Sequence, residues 1–127
     1  MSELSLGAVV TPVFSLEPSL EGQRLTVRFA GTGDMSAIAE LNDYLKQVHQ
    51  EAQRLLVAEV ACDLRQLSFM NSSCFKAFVT WIDSVKTDTR QYRILLLANS
   101  ELHWQRRSLE ALRRLAIGVV TVEQSGG

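Results

Sequence analysis

Apolar and polar positions change period several times along the chain, and each change marks an element. Residues 9–14 form a short β-branched run containing Pro12, which predicts an edge strand because proline cannot donate to a ladder. "EPSLEG", with Pro18 and Gly22, reads as a turn. In "QRLTVRFAG", Leu25, Val27 and Phe29 alternate with Arg24, Thr26 and Arg28, the period of a half-buried strand. The two runs predict a hairpin. The period then lengthens: Ile38, Leu41, Leu45, Val48 and Ala52 recur at helical spacing, so a long amphipathic helix is expected to start near Asp34 or Ser36. "LLVAEVACDL" is nearly continuous and apolar apart from Glu59, as for a central strand covered on both faces. That strand is expected to end over residues 63–67.

A second helix is predicted after Asn71, where Cys74, Phe75, Ala77, Phe78, Val79, Trp81, Ile82 and Val85 sweep an arc of roughly 200°. "YRILLLANS" reads as another buried strand. "SELHWQRRSLEALRRLA" reads as a third helix, with Ser100 as its cap and Glu101 in its first turn. "IGVVTVE" is the last strand. The order ββαβαβαβ implies right-handed parallel crossovers and a mixed, mostly parallel sheet covered by three or more helices. The expectation is a single α/β domain over residues 1–127.

Composition narrows the function classes. At 46% hydrophobic and a net charge of −1, the chain lacks the basic balance of a non-specific nucleic-acid binder. No apolar run is long enough to span a bilayer, so membrane insertion is not expected. The start of the sequence lacks a basic n-region and a long h-region, and a cytoplasmic location is expected. Cys62 and Cys74 are the two cysteines. With His49 and His103 they make no metal-ligand spacing, and both read as reduced, buried thiols. No metal or cofactor is expected.

The stretch "SFMNSSCFKAF" sets Asn71, Ser72, Ser73 and Cys74 between apolar flanks, where a strand hands over to a helix. Asn71 or Ser72 can cap that helix, and a cap is the minimal explanation of the polar cluster. "DLRQLSFMNSSCFKAFVTWI" also resembles the signature of STAS domains, the anti-sigma factor antagonists. Locally it is most similar to SiaC-type regulatory phosphoproteins, over residues 71–77. The resemblance implies the STAS fold, a bacterial host, and control by phosphorylation in place of catalysis. Ser72 takes the phosphoacceptor position, with Ser73 its neighbour and less favoured. Asn71 stands where the antagonists have Asp, and Cys74 where they have Gly.

The implied partners are a serine/threonine protein kinase, a PP2C-type phosphatase and an effector protein, with a homodimer left open. Asn71, Ser72, Ser73, Lys76, Ala77 and Trp81 are the candidate partner surface, although Ala77 and Trp81 fit helix packing equally well. Arg106, Arg107, Arg113 and Arg114 lie on one side of the third helix with His103 and Glu110, opposite Trp104, Ser108, Ala111, Leu112 and Leu115. These arginines are either a solvated face or a basic patch for an acidic partner. A STAS scaffold that assembles a complex without switching is the alternative function. An enzyme reading would need Cys74 activated by a histidine, and nothing in the spacing brings one to it.

Overall fold

The computed structural model describes residues 4–34 and 37–125. Strands β1 (Val9–Val10), β2 (Phe14–Glu21) and β3 (Arg24–Gly33) are antiparallel neighbours. From β3 the sheet continues in parallel through β4 (Glu59–Met70), β5 (Arg93–Asn99) and β6 (Val120–Ser125), in chain order. Helices α1 (Ile38–Leu55), α2 (Ser72–Thr87) and α3 (His103–Leu115) make the three crossovers. Each crossover advances one strand in the same direction, so right-handed connections put all three helices on one face. The core fills the space between them: Leu16, Val27, Phe29, Cys62, Leu64, Phe78, Ile82, Leu96, Leu109 and Leu112 are at most 1% exposed. Phe29 and Phe78 meet across it with ring centroids 5.5 Å apart.

The expected mixed α/β sheet is present, with differences in detail. The run 9–14 is divided between β1 and the first residue of β2, with Pro12 in the connection between them. "EPSLEG" is strand, not turn: β2 runs to Glu21 and the hairpin closes at Gly22, whose φ of 59° suits the first position of a tight two-residue loop. Pro18 is accommodated because it lies beyond the reach of β1, which pairs only with Ser15 and Leu16, so its missing N–H removes no bond there. Helix α1 starts at Ile38, so Asp34 stays in the connection, and Ser36 lies outside the described residues. Helix α3 starts at His103 with Leu102 at the cap position, and neither Ser100 nor Glu101 is part of it. Finally, β4 is covered by helices on one face only. On its other face Ala61 is buried between Thr26 and Leu95 of the paired strands, and Glu59 meets Arg24 at 2.6 Å.

β4 is also longer than expected. It reaches Met70, because two register shifts against β3 each give it one extra residue. Leu64, Leu67 and Met70, three apart, therefore all point into the core, and their period hid the strand. Gly31, between the two shifts, allows the close approach of the residue before β2: its φ is 95°, and a Cβ there would lie 2.1 Å from the Val13 carbonyl oxygen. Helix α1 ends with Leu56 left-handed (φ 54°, ψ 42°) and 60% exposed, where a glycine is favoured.

The segment before β1 is tied to α1. Ser5 donates from its N–H and its hydroxyl to the buried Glu51, and the Tyr44 hydroxyl donates to the Gly7 carbonyl at 2.8 Å. Arg54 donates to the Glu51 carboxylate at 2.8 and 3.1 Å. Chiefly through Arg54, and against the cost of burial, the Glu51 carboxyl is held down at about 2, from an ordinary 4.5.

Two predictions follow from this packing. In denaturant unfolding, Gly31→Ala should destabilise by about 3 kcal/mol, from the clash and the strained φ, and Leu56→Gly should stabilise by about 0.5–1 kcal/mol. Equal and small effects at the two sites would refute this backbone assignment. The depressed Glu51 value means that the folded chain binds this proton less readily than the unfolded one. Its contribution is therefore complete above pH 4.5 and is lost as pH falls toward about 2. Glu51→Gln should flatten the acid limb of the stability–pH curve in that window, whereas an unchanged slope would assign the limb to other carboxylates.

Candidate functional site

The motif sits where the bulged end of β4 turns into α2. Met70 is the last strand residue, and the Asn71 N–H donates to the Gly33 carbonyl at 2.8 Å, tying the turn to the end of β3. That approach is close: a Cβ on Gly33 would lie 3.3 Å from the Phe69 carbonyl oxygen. The Asn71 side chain then accepts from the Cys74 N–H at 2.9 Å, so asparagine and not Ser72 is the N-cap. Ser72 and Ser73 occupy the first two helical positions, whose N–H groups have no acceptor within the helix. The Ser72 side chain is exposed and that of Ser73 half-buried, while Lys76, four residues beyond Ser72, is exposed on the same side. A concentration of unpaired N–H dipoles beside an exposed hydroxyl tolerates an anion at that hydroxyl.

The two thiols are buried and unpaired. Burial pushes both pKa values up, and Asp34 adds to the shift at Cys74. Cys74 sits under the helix start with its Sγ directed at the Asp34 carbonyl, 3.7 Å away. Both nitrogens of His49 are engaged elsewhere, with the Tyr92 hydroxyl at 2.7 Å and Asp88 at 3.0 Å. The arrangement does not activate Cys74 as a nucleophile.

Ala77 and Trp81 are each 3% exposed, which withdraws them from an open docking face. They line a groove of about 180 Å³ between α1 and α2, together with Lys46, His49, Thr80 and Ser84. Trp81 donates from Nε1 to the Tyr92 hydroxyl at 2.9 Å, so the Tyr92 proton is directed to Nδ1 of His49 and Nε2–H of His49 to Asp88. One neutral tautomer satisfies the whole chain of bonds.

The residue that sequence reasoning missed is Gln105. It is 1% exposed, and its amide donates to the carbonyls of Leu64 (2.6 Å) and Leu67 (3.4 Å) while accepting from the Asn99 N–H at 2.8 Å. It braces the bulged end of β4 that carries the motif. The buried stripe of α3 is thus Gln105, Leu109 and Leu112, whereas Ala111 is exposed and Leu115 is 41% exposed. A polar side chain heading that stripe concealed it. The four arginines do not form one patch. Arg113 turns to Glu110 at 2.6 Å, while Arg106, Arg107 and Arg114 border a separate groove beside β6. His103 is exposed at the start of α3.

No protein-family model matches the chain, and no curated protein matches it in sequence. Solved structures do. An anti-sigma factor antagonist from Mycobacterium paratuberculosis superposes with a TM-score of 0.64 at 15% identity, covering 84% of this chain and 86% of that one. The chain has the STAS fold.

The anti-sigma factor antagonist SpoIIAA in its unphosphorylated form gives a TM-score of 0.58 at 20% identity, over 87% of each chain. The Bacillus cell fate determinant SpoIIAA in its phosphorylated form gives 0.56 at 19% identity, over 87% of this chain and 90% of that one. This STAS fold has no helix among its described residues that is long and apolar enough to cross a membrane.

Within the STAS fold, the cap and the brace are separable in stability. Asn71→Ala should cost about 1 kcal/mol, and Asn71→Asp should retain most of the cap. Gln105→Ala should cost about 2–3 kcal/mol by leaving buried backbone groups without partners. Chemical denaturation of the three variants tests this ranking, and a neutral Gln105→Ala would overturn the role given to the brace.

Proposed function

We propose that the chain is a regulatory binding protein of the anti-sigma factor antagonist kind, controlled by phosphorylation of Ser72. The observation that carries this reading is the helix start itself: an exposed Ser72 hydroxyl at the first position of α2, with Asn71 already serving as the cap. Because Asn71 holds the helix, Ser72 is free to be modified without loss of the N-terminal cap. A phosphate there adds nearly two negative charges beside unpaired N–H groups and within reach of Lys76, so the fold tolerates it. What changes is the surface that a partner meets. The match to one protein solved in both unphosphorylated and phosphorylated forms supports the same reading.

The partners in this scheme are a serine/threonine protein kinase, a PP2C-type phosphatase and an effector protein. The effector meets Asn71, Ser72, Ser73 and Lys76, and Trp81 and Ala77 act from beneath by fixing α2 against α1. Two added charges at the centre of such an interface need new cationic partners, and without them they oppose binding by several kcal/mol (about 2–5).

Co-expression with the cognate kinase should add one phosphate by intact-mass spectrometry, and Ser72→Ala should abolish it. Ser72→Asp should weaken effector binding about tenfold or more in calorimetry, with Ser72→Ala nearly unchanged. Phosphate mapping to Ser73, or Ser72→Asp binding like the unmodified chain, would favour a STAS scaffold that does not switch.

A further inference from the structure

A second surface lies at the open edge of the sheet, two strands from β4, and does not depend on the state of Ser72. At its start Val120 also bridges to Ile117 and donates to the Ala116 carbonyl at 2.9 Å; beyond Val120, β6 is paired with β5 alone among the described residues. The Ile94 N–H donates to the Val119 carbonyl at 2.8 Å. In a parallel ladder the bonds to β5 then fall on every second residue of β6, through Thr121 and Glu123. The main-chain N–H and C=O groups of Val122 and Gln124 therefore face outward. Natural edges are commonly blunted by lysine, proline or a bulge, and β6, with the sequence VTVEQS, contains neither lysine nor proline.

The side chains of the same two residues line a groove of about 440 Å³ whose other wall is Arg106, Arg107, Ala111 and Arg114 of α3. Glu110, also in this wall, is taken up by Arg113 at 2.6 Å and Arg114 at 3.5 Å. Arg106 and Arg107 are exposed and have no ion-pair partner among the described residues. The edge thus combines outward backbone groups, a small apolar wall of Ala111 and Val122, and two uncompensated guanidinium groups.

We propose that this edge takes an extended acidic segment of a protein partner, added as a further strand beside β6. Strand addition supplies the main-chain bonds, and alternate side chains of the added strand fall on the helix face. Carboxylates at every second position there meet Arg106 and Arg107 in charge-assisted hydrogen bonds. Charge selects this occupant over a second copy of the chain. A two-fold β6–β6 pairing would bring two arginine-rich helices over one shared edge, with like charges opposed.

The test uses the full chain and a capped octapeptide of alternating threonine and glutamate, with alternating threonine and lysine as its counterpart. Calorimetry should show binding of the glutamate peptide, weakened at high salt, and the largest amide shifts in NMR should fall at Val122 and Gln124. The double substitution Arg106→Glu with Arg107→Glu should weaken binding about tenfold or more. Gln124→Pro removes an outward N–H and no bond to β5, and should weaken it about fivefold with the fold retained. If that variant does not fold, N-methylation at the centre of the peptide removes the corresponding bond from the other side, with the same expected loss. No binding, equal binding of the lysine peptide, or wild-type binding by the charge-reversed protein would overturn the proposal. So would a dimer that already protects the Val122 and Gln124 amides.

Discussion

The two extra residues in β4 are the constraint on which the rest of the site depends. A bulge bends a strand and frees main-chain groups from the ladder, and those groups are costly to bury without partners. Here β4 gains its extra residues between Asp63 and Met70, beyond the end of its pairing with β5 at Asp63, and the carbonyls of Leu64 and Leu67 in that stretch are met by the buried amide of Gln105. The same amide accepts from Asn99, so the ends of β4 and β5 and the start of α3 are held by one side chain.

From that anchored end the geometry of the helix start follows. Gly33, with no side chain, lets β3 approach closely enough for its carbonyl to receive the Asn71 N–H. Asn71 then caps the helix, Cys74 and Ala77 turn inward, and Ser72 and Lys76 turn outward. The burial that favours the protonated form of Cys74 is the same burial that seats the helix. Along the other flank, Trp81, Tyr92, His49 and Asp88 share a chain of hydrogen bonds that runs from α2 through the residue before β5 to α1. The start of α2 that carries the serines is therefore tied to β3 at one end and the helix to α1 along its flank.

By itself the sequence determined the alternation of strands and helices from Arg24 onward, and the place of the polar cluster at a strand-to-helix junction. These are local matters: hydrophobic period separates strand from helix, and Asn71 before an apolar helical run is a cap wherever it occurs. The resemblance to STAS domains rested on the same short stretch, and the fold agrees with it. What only the tertiary structure decided were properties that depend on neighbours distant in sequence. The period of Leu64, Leu67 and Met70 matches neither template until β3 supplies a register against which two residues are extra. Gln105 reads as a surface residue until the carbonyls of a strand about forty positions earlier come to lie against it. Trp81 is an interface candidate or a core residue by sequence, and the fold buries it with its Nε1 on the Tyr92 hydroxyl. The four arginines of α3 look like one face until Glu110 takes Arg113 and the edge of β6 lies beside the others. Period and capping act within a few residues of one chain segment, whereas burial, register and charge pairing are set by whatever the fold brings alongside.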